Sequence, residues 1–156
     1  MPADAATDVQ VRPATVQDLD AVAEMFDHYR VFYGQDSDLD LARRFLGERM
    51  EAGESRIYVG QCSEQICGFM QLYPSFSSTA ARRIWVLNDL WVEDSARQSG
   101  VGQALLKQAD QLAVESGASH LELATARDNQ PARELYEKQG WVRDDVFVHY
   151  YRSPQA

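Results

Sequence analysis

Residues 84–92 are an apolar run broken only by Asn88 and Asp89, residues 101–114 repeat apolar side chains at helical spacing, and the join between them ends in Arg97-Gln98-Ser99-Gly100-Val101-Gly102. The implied order is strand, glycine-bearing turn, helix. Such a turn presents unpaired backbone N–H groups at a helix N-terminus, where the summed peptide dipoles favour negative charge. Gly100 and Gly102 carry no side chain, so the backbone there can adopt unusual dihedrals and approach a bulky anion closely. Arg97 adds a mobile cation at the rim. An ordinary strand-to-helix connection can carry the same glycines. The pattern is neither the G-x-G-x-x-G of a dinucleotide fold nor a Gly-Lys-Ser/Thr nucleotide loop, which leaves a diphosphate of another kind as the natural ligand.

The 156 residues suit one domain with one core, taken as 9–152, with 1–8 and 153–156 as frayed ends. Hydrophobic content of 45% and charged content of 25% are those of a globular protein rather than a disordered one. No apolar stretch is long enough to span a bilayer and residues 1–8 lack the features of an export signal, so a cytoplasmic protein is expected. Cys62 and Cys67 flank residues 63–66 and can face each other across a hairpin, although two reduced thiols are the expectation in a reducing compartment. His28, His120 and His149 are scattered, so no metal site is expected. A net charge of −9 argues against a nucleic-acid backbone as partner and is compatible with a cationic one, or with solubility alone.

Along the chain, 9–11 alternate as a short strand, and Thr15 with Asp18 resembles a capping box before a helix whose stripe is Leu19, Val22, Ala23 and Phe26. Tyr29, Phe32 and Tyr33 are then followed by Asp36, Asp38 and Asp40. Two accounts fit this stretch. In one, Tyr29 and Tyr33 extend the core stripe while Asp38 caps a second helix that stops near Gly53; in the other, aromatic faces and carboxylates receive an ammonium group. Residues 57–59 and 66–73 read as a hairpin whose second strand ends at Pro74. Leu121 and Leu123 alternate with His120 and Glu122 in a further strand, where Glu122 faces either a cleft or water. A well-punctuated helix follows, with Asn129 as cap, Pro131 in the first turn and Gly140 past the end, and 147–152 supply a last strand.

The spacing R-x-x-G-x-G at 97–102 resembles the acetyl-CoA signature Q/R-x-x-G-x-G/A of the GCN5-related N-acetyltransferase (GNAT) superfamily, and Asn129, Ala132, Tyr136 and Gly140-Trp141 resemble its second signature, N-x-x-A-x-x-x-Y followed by E-K-x-G-aromatic. The resemblance covers about 9–152. It implies an α/β (α+β) GNAT fold: a central mixed, mostly antiparallel sheet of six to seven strands flanked by about four helices, with a β-bulge at Asn88-Asp89. It also implies N-acetyl transfer from acetyl-CoA. Leu90, Trp91 and Val92 would bind pantetheine and the acetyl carbonyl through backbone groups; Arg97, Gln98, Ser99, Gly100, Val101, Gly102 and Gln103 would cradle the pyrophosphate; Asn129, Ala132 and Tyr136 would complete the cofactor set. Tyr136 aligns with the tyrosine that protonates the departing thiolate. For the base, Asp89 is the first candidate and Glu122 the second. Phe32, Tyr33, Asn88 and Asp89 are the candidate acceptor-binding residues. The segments 29–33 and 88–92 look like the branch with small histone-, D-amino-acid- and polyamine-acetylating enzymes, so a small cationic amine is the expected acceptor, with a lysine-rich peptide as alternative. A non-catalytic acyl-CoA-binding module would have lost Tyr136 or both carboxylates. No nucleic-acid or membrane partner is expected, and a homodimer is left open.

Overall fold

The computed structural model describes residues 8–155; the leader expected to fray lies, up to residue 7, outside the described residues, as does Ala156. The chain divides into two compact units, one ending at Ala124 and the other beginning at Thr125.

The first unit holds a five-stranded sheet in sequence order, from β1 (Val9–Pro13) through β2 (Arg56–Cys62), β3 (Gln65–Ser77) and β4 (Arg82–Val92) to β5 (Leu121–Glu122). Among the described residues only the β4–β5 pair is parallel. Helices α1 (Leu19–Phe32) and α2 (Leu39–Ala52) bury Val22, Met25, Phe26, Ala42 and Leu46 against Ile57, Val59 and Phe69 of the sheet. These pairs lie two apart along β2 and face each other across β2 and β3, as the strand period requires. Helix α3 (Val101–Glu115) packs through Val101, Leu105, Leu106, Ala109 and Leu112. Gly60 and Gly68 are partners in β2 and β3, and a Cβ built on either would meet Val101 Cγ1 at 2.7 or 2.9 Å. The glycine pair is therefore a notch that seats the first turn of α3.

Asn88 is the bulge. Gln71 pairs with Asp89 and Leu72 with Leu87, so one residue of β4 has no counterpart in β3. The extra residue resets the alternation of β4. Asp89 and Trp91 face α1, where Trp91 meets Phe32 and His28, whereas Trp85 lies on the opposite face and donates its indole N–H to Ser116 Oγ at 2.8 Å.

The expected caps form except at Asn129, which holds the N-cap position of α4 (Gln130–Lys138), in the second unit, but makes no side-chain capping bond there. All of α1, α2, α3 and α4 end in a left-handed glycine, at Gly34, Gly53, Gly117 and Gly140. In each case the next residue's N–H reaches the carbonyl five residues back. Asp38 Oδ1 accepts from Leu41 N at 3.0 Å at the start of α2, and Thr15 with Asp18 forms the capping box at a short 3₁₀ turn before α1.

Three expectations change. Strand β3 runs through Pro74 to Ser77 because β2 stops pairing at Leu72, so no partner asks Pro74 for the N–H it lacks. The last strand expected at 147–152 does not form: its own unit supplies no strand beside it, and Asp144 Oδ1 instead takes the N–H groups of Val146 and Phe147 in a tight turn. Among the described residues the sheet accordingly has five strands rather than six to seven. No helix among the described residues is long and apolar enough to cross a membrane.

Candidate active site

Strand β4 has two very different edges. Along β3 every residue but Asn88 is paired, while β5 pairs only Trp85 and Val86, so among the described residues no strand covers the second edge of 87–92. Alternate N–H and C=O groups of this stretch, which includes Leu90, Trp91 and Val92, have no strand partner there, and side chains take the Asn88 and Val92 carbonyls. The chain then makes a 3₁₀ turn (Asp94–Ala96) and enters α3 through two left-handed residues, Gln98 at φ 64° and Gly100 at φ 91°. The first helical bond of α3 runs from Ala104 N to Gly100 O, which leaves Val101, Gly102 and Gln103 with N–H groups that no helical carbonyl takes. The Ser99 hydroxyl closes the turn by donating to the Ala96 carbonyl. Arg97 is tethered rather than loose: Nη2 lies 3.1 Å from Asp94 Oδ1, Nε donates to Val92 O at 3.3 Å, and the guanidinium stands 5.2 Å above the Trp91 ring. The donors, the dipole and this cation suit an anion of the size of a pyrophosphate.

On the α1 face of the same strand lies an aromatic cluster. Trp91 and Phe32 meet edge to face at 5.9 Å, Phe32 and Tyr33 at 5.1 Å, and Tyr33 and Tyr29 at 4.9 Å. Phe32 is 53% exposed and Tyr33 42%, so ring faces remain open to a visitor. Beside the cluster, Asp89 is only 2% exposed. Gln71 Nε2 donates to Asp89 Oδ2 at 2.5 Å, and the Tyr29 hydroxyl, 2.8 Å from the Asn88 carbonyl, can give its single hydrogen to that carbonyl or to the carboxyl. Burial outweighs these bonds and raises the Asp89 pKa to about 6. A carboxyl so placed exchanges a proton near neutrality.

Glu122 pairs with Val86 and so faces the same side of the sheet as Asp89, about 10 Å further along at the rise of a strand. It is exposed, and its Oε1 lies 2.9 Å from His120 Nε2. The acidic cluster behaves as the structural account holds. Asp38 caps α2, buried Asp27 accepts from Ser37 Oγ at 2.6 Å and Asp38 N at 2.7 Å, and Asp36 and Asp40 are exposed. Both cysteines are free thiols, and burial pushes the Cys67 thiol to about 12, which makes it a poor nucleophile. Among the described residues no group of three His, Cys, Asp or Glu is placed to hold a metal ion.

The second unit holds the other signature on one face of α4. Asn129 precedes the helix and donates from Nδ2 to Thr125 Oγ1 at 3.3 Å, Ala132 and Tyr136 follow at helical spacing, and the half-buried Tyr136 ring lies 6.1 Å from Trp141.

Sequence reasoning named Asp89, Asn88, Phe32 and Tyr33 but treated Trp91 only as backbone and Tyr29 as core. It missed Gln71 and Ser55 altogether. The available signal for Gln71 was a lone amide inside an otherwise apolar strand.

Residues 19–141 match the sequence profile of the Acetyltransferase (GNAT) family, and the chain belongs to that family. It is an acyltransferase of the GNAT N-acetyltransferase kind. The uncharacterised N-acetyltransferase YhfO of Bacillus subtilis is 44% identical over 142 residues, covering 91% of this chain and 95% of its own. A bovine thialysine N-epsilon-acetyltransferase is 32% identical over 75 residues, covering 48% of this chain and 44% of its own. Among solved structures, a probable acetyltransferase superposes with a TM-score of 0.87 at 38% identity, covering 94% of this chain and 99% of that one.

Proposed function

We propose that the protein moves an acetyl group from acetyl-CoA to the nitrogen of a small cationic amine by direct transfer. The observation that carries this reading is the buried Asp89 carboxyl, with its pKa near neutrality, set beside open aromatic faces and directly behind the Asn88 bulge of the uncovered β4 edge. Acetyl-CoA supplies an activated acyl thioester. The turn at 97–103 would bind its pyrophosphate, and the free edge at 90–92 its pantetheine arm and acetyl carbonyl.

An ammonium group is held by the ring faces of Phe32, Tyr33 and Trp91, at roughly 0.5–2 kcal/mol per contact. Asp89 takes one of its protons. The uncharged nitrogen then attacks the thioester carbon, and negative charge on the carbonyl oxygen meets a β4 N–H. The carbon–sulfur bond breaks, the thiolate takes a proton from the Tyr136 phenol, and the amide nitrogen gives up its remaining extra proton to solvent. The role of Tyr136 rests on its place in the second signature, and that of Glu122 is a secondary, water-mediated relay. In keeping with a small amine, one relative carries the lysine analogue thialysine in its name.

The test is a screen with acetyl-CoA and spermidine, L-lysine, a lysine-rich peptide and neutral alcohols, reading free thiol and the mass of the product. Acetylation of the small amines supports the reading. Acetylation of the peptide alone transfers the site to protein substrates, and turnover of alcohols in preference to amines contradicts it.

A further inference from the structure

A carboxylate accepts and never donates, so the group facing Asp89 Oδ2 at 2.5 Å must be the amide nitrogen of Gln71. Gln71 is fully buried, and its amide would fit nearly as well turned over, with oxygen against oxygen. The acceptor-only carboxylate excludes the turned-over form, and Ser55, the residue before β2, and Tyr73 hold the amide in place by hydrogen bonds to it. The Ser55 hydroxyl donates to Gln71 Oε1 at 2.8 Å, which leaves Nε2 for Asp89. The Tyr29 hydroxyl has one hydrogen and two acceptors, the Asn88 carbonyl at 2.8 Å and the Asp89 carboxyl. When Asp89 takes up a proton it can donate to Tyr29 while Tyr29 donates to Asn88. An amide has no proton to exchange near neutrality, so proton traffic does not run through Gln71.

We propose that Gln71, oriented by Ser55, is a positioning residue that occupies one oxygen of Asp89 and reserves the other for the proton of the acceptor amine. This rests on Asp89 acting as the base. The titratable groups facing Asp89 are Tyr29 from α1 and Tyr73 from β3, the latter pushed to about 12 by burial and by Asp89 itself; Arg49 of α2 and Glu54 act in turn on Tyr73. Without Gln71 the charged carboxylate loses a hydrogen bond, so its proton is held more tightly.

The experiment is a carboxyl ¹³C NMR titration of aspartate-labelled protein from pH 4 to 9, with the Asp89 signal assigned by its loss in Asp89→Asn. It is run beside the pH profile of kcat/KM for acetyl transfer to spermidine and L-lysine. Asp89 should titrate about 6 in the wild type and roughly one pH unit higher in Gln71→Leu, with a smaller rise in Ser55→Ala and the acid limb of kcat/KM moving with it. Ser55 is half-buried, so its variant keeps the test open if Gln71→Leu fails to fold. An unmoved Asp89 titration in folded variants would reduce Gln71 to packing and overturn the proposal. A moved titration with an unmoved acid limb would show instead that Asp89 is not the base, and the catalytic reading beneath the proposal would fall.

Discussion

Two aspartates show how placement sets the sign of a charge's contribution to stability. Asp18 is buried but receives Arg12 Nη1 at 2.7 Å and Nη2 at 2.9 Å, and these bonds hold its pKa down to about 2. Its stabilising effect is present above the ordinary carboxylate range and is lost as pH falls from about 4 to about 2. Asp18→Asn should therefore cost about 1–2 kcal/mol at pH 7, after allowing for the part-exposed Arg12, and that cost should vanish near pH 2, as denaturant melts will show. Asp89 behaves oppositely. Its pKa is raised, so the folded protein binds the proton more tightly and loses stability as pH rises from the ordinary carboxylate value to about 6. Asp89→Asn should then melt higher than the wild type at pH 8, by up to about 2 kcal/mol, and show little gain at pH 4. A Tyr136→Phe variant keeps the ring and loses the hydroxyl, and steady-state kinetics should show turnover reduced about 10²-fold with acetyl-CoA affinity retained.

At the scale of elements, the join between β4 and α3 is fixed from two sides. Gly100 sits at φ 91°, where a Cβ would meet nothing within 4 Å. Gly100→Val should thus fold with a penalty of about 1 kcal/mol or more for the left-handed backbone, and calorimetry should show acetyl-CoA affinity lost because the side chain lies in the anion's path. Gly68 differs, since a Cβ there meets the Trp91 carbonyl at 2.9 Å as well as Val101. Gly68→Ala should cost about 1–3 kcal/mol in chemical denaturation, because backbone must shift. The caps, the turn and the helix stripes were legible in the sequence because each is written within a few residues. The bulge was legible too, as two polar residues in an apolar strand. What was not legible depends on partners distant in the chain. The notch needs Gly60 opposite Gly68, the tolerance of Pro74 depends on where β2 stops pairing, and the fate of 147–152 turns on having a strand alongside, which no local pattern declares. Gln71 and Ser55 became visible only when register set Gln71 against Asp89.

For the whole molecule, the family and the reaction class follow from two short signatures on the right elements, while the acceptor, on the proposed reading, is chosen by side chains of α1 and β4. The net charge of −9 favours the approach of cationic molecules in general and selects none of them. On the proposed reading, selection falls to the aromatic faces and the buried Asp89 carboxyl. The most direct measurement is steady-state acetyl transfer to spermidine and L-lysine by wild type and Asp89→Asn in parallel, with acetyl-CoA affinity measured by calorimetry on the same samples. The account predicts a higher KM for the amine and a kcat lower by about 10²-fold in the variant, with acetyl-CoA binding nearly unchanged. Full activity in Asp89→Asn, or a wild-type preference for neutral acceptors over these amines, would contradict it.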